Sequence, residues 1–186
     1  MLKHILPFVI SLLPVIAHGQ QNYFIKNDGE KVLAYPTLFA PTGLGISNER
    51  LEWYDKAEKR HEIHQSEVKE MSAGGYYYIQ LPITKRYNRL VRVLATSEKY
   101  ILSSYSMSSA DYLFIHDKQS KEIVEGKVRY YNVKTDYKDL QKVIKKYFPV
   151  CYELFITMDA NGKRQEKEKK IERDGPFDGI SNMTCK

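Results

Sequence analysis

Cysteine is scarce in this sequence, with only Cys151 and Cys185 among 186 residues. There is no C-x-x-C pair, so thiol redox chemistry, which needs closely spaced thiols, lacks its signature. Glycine (10) and proline (7) are too few for a collagenous or low-complexity chain, and no internal repeat is present. With 42% hydrophobic and 28% charged residues the composition is that of an ordinary globular domain. No apolar run reaches the roughly 20 residues that span a bilayer. The longest, residues 5–16, is broken by Pro7 and Pro14. The net charge of +6 is spread along the chain and accompanies no known nucleic-acid-binding signature, so no nucleic-acid partner is expected.

The N-terminus reads as a secretory signal peptide over residues 1–19: Lys3 and His4, then a short apolar core, then Ala17 and Gly19 two apart. Cleavage would leave Gln20 first, with cleavage after Ala17 as the alternative, and a net charge of +5 once Lys3 is gone. No cysteine stands near the cleavage point to carry a lipid anchor. The sequence therefore predicts a soluble exported protein, periplasmic or extracellular. In an oxidising compartment Cys151 and Cys185 form a disulfide, closing a loop of 33 intervening residues. The expected organisation is one β-rich domain with a C-terminal helix over 20–162, and a polar tail over 163–186 stapled by that bond.

Alternating apolar and polar positions predict strands at 23–26, 31–38, 50–54, 60–64, 76–83, 90–96, 100–107, 112–116, 122–125 and 127–133. Asp28-Gly29 marks a hairpin turn, residues 66–71 a single helical turn, and Gly74-Gly75 the start of the next strand. Tyr77, Ile79, Leu81 and Ile83 share one face, the core face; Tyr76, Tyr78 and Gln80 share the other. Trp53 shares a face with Leu51 and reads as core. From Tyr137 the period changes to helical, with Leu140, Val143, Ile144 and Tyr147 on one side and lysines opposite, until Pro149 ends the helix. Residues 150–158 fit a second short helix or a hairpin strand, with the helix preferred. The fold class is mainly β, an antiparallel sandwich or small barrel with one or two C-terminal helices.

Several chemistries can be weighed. His61-Glu62-Ile63-His64 gathers two imidazoles, but the zinc-protease motif needs histidines four apart on a helix. On a strand, residues three apart point to opposite faces, which puts His61 with Ile63 and His64 with Glu62. Ser66-Glu67-Val68-Lys69 matches an S-x-x-K string without its companion elements, and Ser66 reads as the cap of a short turn. There is no G-x-S-x-G elbow; the glycines at 43 and 45 lack the rest of a phosphate loop, and residues 159–162 lack the glutamate of a calcium loop. Asn182-Met183-Thr184 is a glycosylation sequon, relevant only in a eukaryotic secretory pathway. No cofactor is expected. The compositional oddity is 15 tyrosines against one tryptophan. Tyr76 and Tyr78 are the candidates for an exposed binding face, since tyrosine offers area and a polar tip together; the alternative is a half-buried face covered by the helix or a neighbouring loop.

The first hairpin, Tyr-Phe-Ile-Lys-Asn-Asp-Gly-Glu (23–30), the segment His-Gln-Ser-Glu-Val-Lys-Glu-Met (64–71) before a Gly-Tyr-Tyr strand, and Lys-Val-Ile-Lys-Lys-Tyr-Phe-Pro-Val-Cys-Tyr-Glu-Leu (142–154) resemble small exported proteins of Bacteroidetes-type bacteria. The resemblance covers residues 20–157 and departs in the loop 40–48 and in the charged tail. It implies a β-rich domain with a C-terminal helix in the periplasm or on the outer surface, and it carries over no catalytic residue. The expectation is an exported, non-catalytic binding or interaction module whose partner is an envelope protein or glycan. The alternatives are a small secreted hydrolase of envelope or dietary polymers, or a metal-dependent protein using His61, His64 or His116.

Overall fold

The computed structural model describes residues 22–35, 49–107, 110–131, 137–151 and 181–185. The signal segment, the loop 40–48 and the alternatives for 152–158 lie outside them. Among the described residues there are eleven strands: β1 (Tyr23–Lys26), β2 (Lys31–Leu33), β3 (Arg50–Tyr54), β4 (Arg60–His64), β5 (Val68–Ala73), β6 (Tyr76–Pro82), β7 (Asn88–Thr96), β8 (Tyr100–Met107), β9 (Ala110–Asp117), β10 (Ile123–Tyr131) and β11 (Met183–Thr184). One helix, α1, spans Tyr137–Tyr147. Eight strands form an antiparallel sheet in the order β10-β9-β8-β7-β6-β5-β1-β2, β11 joins it against β7, and β3-β4 form a separate two-stranded sheet. The large sheet is not closed into a barrel, so of the two expected forms the sandwich is the one observed.

Both faces of the sheet carry buried side chains. On one, Leu81, Ile83, Val91, Val93, Ile101 and Phe114 make a core flanked by Tyr77 and Ile79, the face that the alternation of β6 assigns to the interior. On the other, two separate lids divide the work. The β3-β4 hairpin lays Leu51, Trp53 and Ile63 over Phe24, Met71, Tyr78 and Leu90. Helix α1 lays Ile144, Tyr147 and Phe148 over Leu94, Leu102, Leu113 and Ile115. The amphipathic stripe of the helix and the alternation of the strands are thus satisfied by the same layer.

Three local features depart from the sequence expectation. Only Gln65–Glu67 is helical, as one 3₁₀ turn, and Val68 begins strand β5. A bulge opposite Ile25 and Lys26 offsets the alternation, so Val68 and Met71 are both buried three positions apart, which imitates a helical period. Gly74 and Gly75 take positive φ (57° and 83°) and close the β5-β6 hairpin rather than opening a strand. The two strands expected at 122–125 and 127–133 are one irregular strand, β10. There a Cβ on Gly126 would stand 3.0 Å from the Ile123 side chain of the same strand, which the irregularity brings beside it.

The end of the chain enters the sheet. β6 and β7 pair only as far as Tyr78 and Arg92, and residues 181–185 fill the gap beyond. The Ser181 hydroxyl accepts the Tyr77 amide (3.0 Å), the Asn182 amide reaches the Val93 carbonyl (3.0 Å), and the Cys185 amide reaches that of Thr96 (2.7 Å). Met183 and Thr184 run parallel to Ala95 and Thr96. The expected Cys151–Cys185 disulfide, Cα atoms 5.4 Å apart, ties this strand to the turn after α1.

Candidate functional site

The β3-β4 hairpin does not seat flush on β1. Between them lies a cleft of about 400 Å³, lined by Phe24, Lys26, Arg50, Trp53, His61, Glu62, Ile63, His64 and Glu67. Its apolar wall comes from strand alternation. Leu51 faces Ile63 and Trp53 faces His61 across the hairpin, so these four side chains share the inner face. Phe24 meets the Trp53 ring edge-on at 5.4 Å, and His61 stacks on it at 4.4 Å.

The two histidines are held by different carboxylates. His61 sits opposite the turn that Asp55 organises: one Asp55 oxygen accepts the amides of Ala57 (2.8 Å) and Lys59 (3.0 Å), the other accepts His61 Nε2–H (2.8 Å). The imidazole first, and the turn amides after it, hold the Asp55 carboxyl below its ordinary range. His64 Nε2–H donates to Glu49 (2.8 Å), whose second oxygen binds the Arg89 guanidinium (2.7 Å). The His64 hydrogen bond, followed by the Arg89 charge, lowers the Glu49 carboxyl. Among the described residues no group of three histidine, cysteine or acidic side chains is placed to hold a metal. His61 lies on the Ile63 face, as the strand argument requires.

His64 also ends β4 by capping the 3₁₀ turn. Its Nδ1 accepts the Ser66 amide (3.3 Å) and bonds the Ser66 hydroxyl (2.5 Å), while Glu67 returns a bond to the His64 amide (3.2 Å). Glu49, His64 and Ser66 therefore stand in the order acid, imidazole, hydroxyl. A serine nucleophile needs the imidazole lone pair as its base, and here that lone pair also takes a backbone amide of the cap. The sequence suggests Ser66 as the cap, but the cap is His64; Ser66 lies inside the turn, where its amide and hydroxyl hold the His64 ring. Asn27 ties the turn to β1 through the Ser66 carbonyl (2.7 Å), and the buried Gln65 accepts the Leu90 amide of β7 (3.4 Å).

Lys26, Arg50 and Glu62 of the cleft are paired as well. Lys26 binds Glu30 (2.6 Å), Arg50 binds Glu62 (2.8 Å), and Glu62 also takes Arg60 (3.3 Å). Two cations and two carboxylates line the cleft, which leaves it balanced in formal charge apart from the histidines.

The tyrosines lie elsewhere. Tyr78 is 9% exposed beneath the hairpin, where burial raises its phenol pKa. Tyr76 is half-buried, with the Arg92 guanidinium 3.8 Å over its ring. The face they share is covered, not open, so Tyr78 cannot offer its ring to a ligand. The sequence leaves open an exposed face or one covered by the helix or a loop; the cover over Tyr78 is the β3-β4 hairpin, remote in sequence.

His116 is buried on the opposite face and spans it. Its Nε2–H donates to the Pro82 carbonyl of β6 (2.8 Å), and its Nδ1 accepts the Ser103 hydroxyl (3.3 Å). Burial chiefly, with Lys121 nearby, lowers its pKa from 6.5, so the folded protein keeps it neutral. Below that pH the unfolded chain gains a proton that the native state refuses, and stability falls as pH drops toward the native pKa. Thermal melts should show a lower Tm at pH 5 than at pH 7.5, with a shallower drop in His116→Gln. An equal slope in the variant would assign the effect to other groups.

Among the described residues no helix is long and apolar enough to cross a membrane. Comparison with known proteins finds no matching family, no matching curated protein and no matching solved structure.

Proposed function

We propose that the protein is an exported, non-catalytic binding module of the cell envelope that takes a short glycan segment in the cleft between β1 and the β3-β4 hairpin. The observation that carries this reading is the state of the cleft: an apolar wall built on Trp53, Phe24 and Ile63 beside a polar rim where Lys26, Arg50, Glu62, His61 and His64 each stand against an opposite partner and Glu67 accepts the His64 amide. Paired groups are held in fixed geometry but keep hydrogen-bonding capacity, and the charge balance suits a neutral polyhydroxylated ligand better than a strongly charged one. A hydrolase needs an acid or base free to move a proton in the transition state. Glu62 is held by Arg50 and Arg60, His61 by Asp55, and the His64 lone pair that Ser66 would need as its base also takes a backbone amide, which supports binding instead. A disulfide at the base of the sheet agrees with an oxidising, periplasmic or extracellular location.

A thermal-shift screen of the oxidised protein tests this against neutral oligosaccharides from envelope and plant polymers. A ligand at a hundred times its Kd adds about 2.7 kcal/mol, so a binder raises Tm by several degrees. Arg50→Ser and His61→Ser, both on the rim, should remove the shift while leaving the unliganded protein folded. A shift that survives both substitutions would place the ligand elsewhere. Stabilisation by an envelope protein alone would replace the glycan with a protein partner.

A further inference from the structure

The turn between β6 and β7, residues 83–87, presents a second feature unrelated to the cleft. Tyr87 is 56% exposed, the only aromatic among the large apolar side chains left exposed in the described residues. It follows Lys85 and Arg86, both exposed, and precedes Arg89; residues 84–89 contain three cations and no acid. Arg89 is anchored, with Glu49 at 2.7 Å and the Asn88 carbonyl at 2.9 Å, and its guanidinium lies 5.6 Å from the Tyr87 ring. Among the described residues no carboxylate pairs with Lys85 or Arg86, in contrast to Lys26, Arg50, Arg60 and Arg89.

The turn is also built. The Thr84 hydroxyl accepts the amides of Arg86 and Tyr87, each at 3.2 Å, and the Ile83 amide donates to the Tyr87 carbonyl at 2.9 Å. These bonds fix the backbone of the tip, so the cations and the ring are displayed together at little entropic cost on docking. A tyrosine suits the boundary between water and hydrocarbon, and flanking lysine and arginine suit anionic headgroups beside it. Such cations contribute most when no protein carboxylate competes for them.

We infer that the β6-β7 tip docks the protein on an anionic phospholipid surface, with Tyr87 at the headgroup boundary and Lys85 and Arg86 on lipid phosphates. The docking is peripheral and reversible, because one ring and two cations are far short of a membrane anchor.

The test is co-sedimentation of the oxidised full chain with vesicles of phosphatidylcholine, pure or containing about one third phosphatidylglycerol. Binding should appear only with phosphatidylglycerol and be lost at high salt. At about 1 kcal/mol for each cation near the surface, Lys85→Ser with Arg86→Ser should lower partitioning about 30-fold. Tyr87→Ser should weaken it at unchanged net charge. All three positions are exposed, so Tm should stay unchanged and report correct folding. Equal binding by the wild type and the double variant, or none to phosphatidylglycerol vesicles, would overturn the inference. So would equal displacement by inorganic phosphate or a soluble sulfated polymer, which would make the tip a general anion site.

Discussion

Phe24→Ala should cost about 3 to 5 kcal/mol, the range for removing a fully buried aromatic ring. Phe24 is 0% exposed and joins three elements: β2 and β5 through its register partners Val32 and Met71, and the hairpin lid through the edge of Trp53. The ring is also the floor of the cleft, so its loss leaves a void that the short β1 and β2 strands are poorly placed to fill. A drop in Tm of order 10 °C is expected. The emission of Trp53, the only tryptophan, should move to the red as the hairpin loosens. Phe24→Leu, which keeps most of the volume, should recover more than half of the loss. If Phe24→Ala melts within a degree or two of the wild type, the hairpin is not held where the packing places it.

Breaking the Cys151–Cys185 bond is the second large effect. With the cysteines 34 positions apart in sequence, the chain-entropy argument assigns the bond about 3 to 4 kcal/mol. The position of β11 adds a structural consequence. Residues 181–185 fill the gap where β6 and β7 part, through Ser181, Asn182 and Cys185, with only two residues in strand register. Once the tether is cut, so short a strand has little to hold it. The double substitution Cys151→Ala with Cys185→Ala should therefore lower Tm and also speed hydrogen exchange at the amides of Tyr77, Asn182 and residue 185. Exchange unchanged at these sites, despite a lower Tm, would mean that β11 holds its place without the bond.

Much of this fold was legible in the sequence, for reasons that can be named. Tyr77, Ile79, Leu81 and Ile83 alternate because one face of β6 is core, and α1 reads as a helix because Ile144 and Tyr147 cover the sheet at helical spacing. The disulfide was legible because two cysteines allow only one pairing. Local pattern failed where tertiary structure overrides it. The bulge beside Lys26 gave β5 a false helical period, and a two-residue strand such as β11 has no period at all. Tyr76 and Tyr78 look free on a strand diagram because burial by a distant hairpin is a long-range event. The cleft was legible only in part. His61 and His64 stand out as a pair, but their carboxylates, Asp55 in the hairpin turn and Glu49 just before β3, are related to them by no spacing rule.

The central claim is that the cleft beneath the hairpin is a ligand site, and its wall contains the single tryptophan. A titration of Trp53 fluorescence with the neutral oligosaccharides of the thermal screen therefore reads the site directly, without a label. The account predicts a saturable change in Trp53 emission for at least one glycan class, absent in Arg50→Ser and His61→Ser, with the same midpoint by calorimetry. Calorimetric binding of a glycan that leaves Trp53 emission untouched, or that proceeds equally in both rim variants, would contradict it.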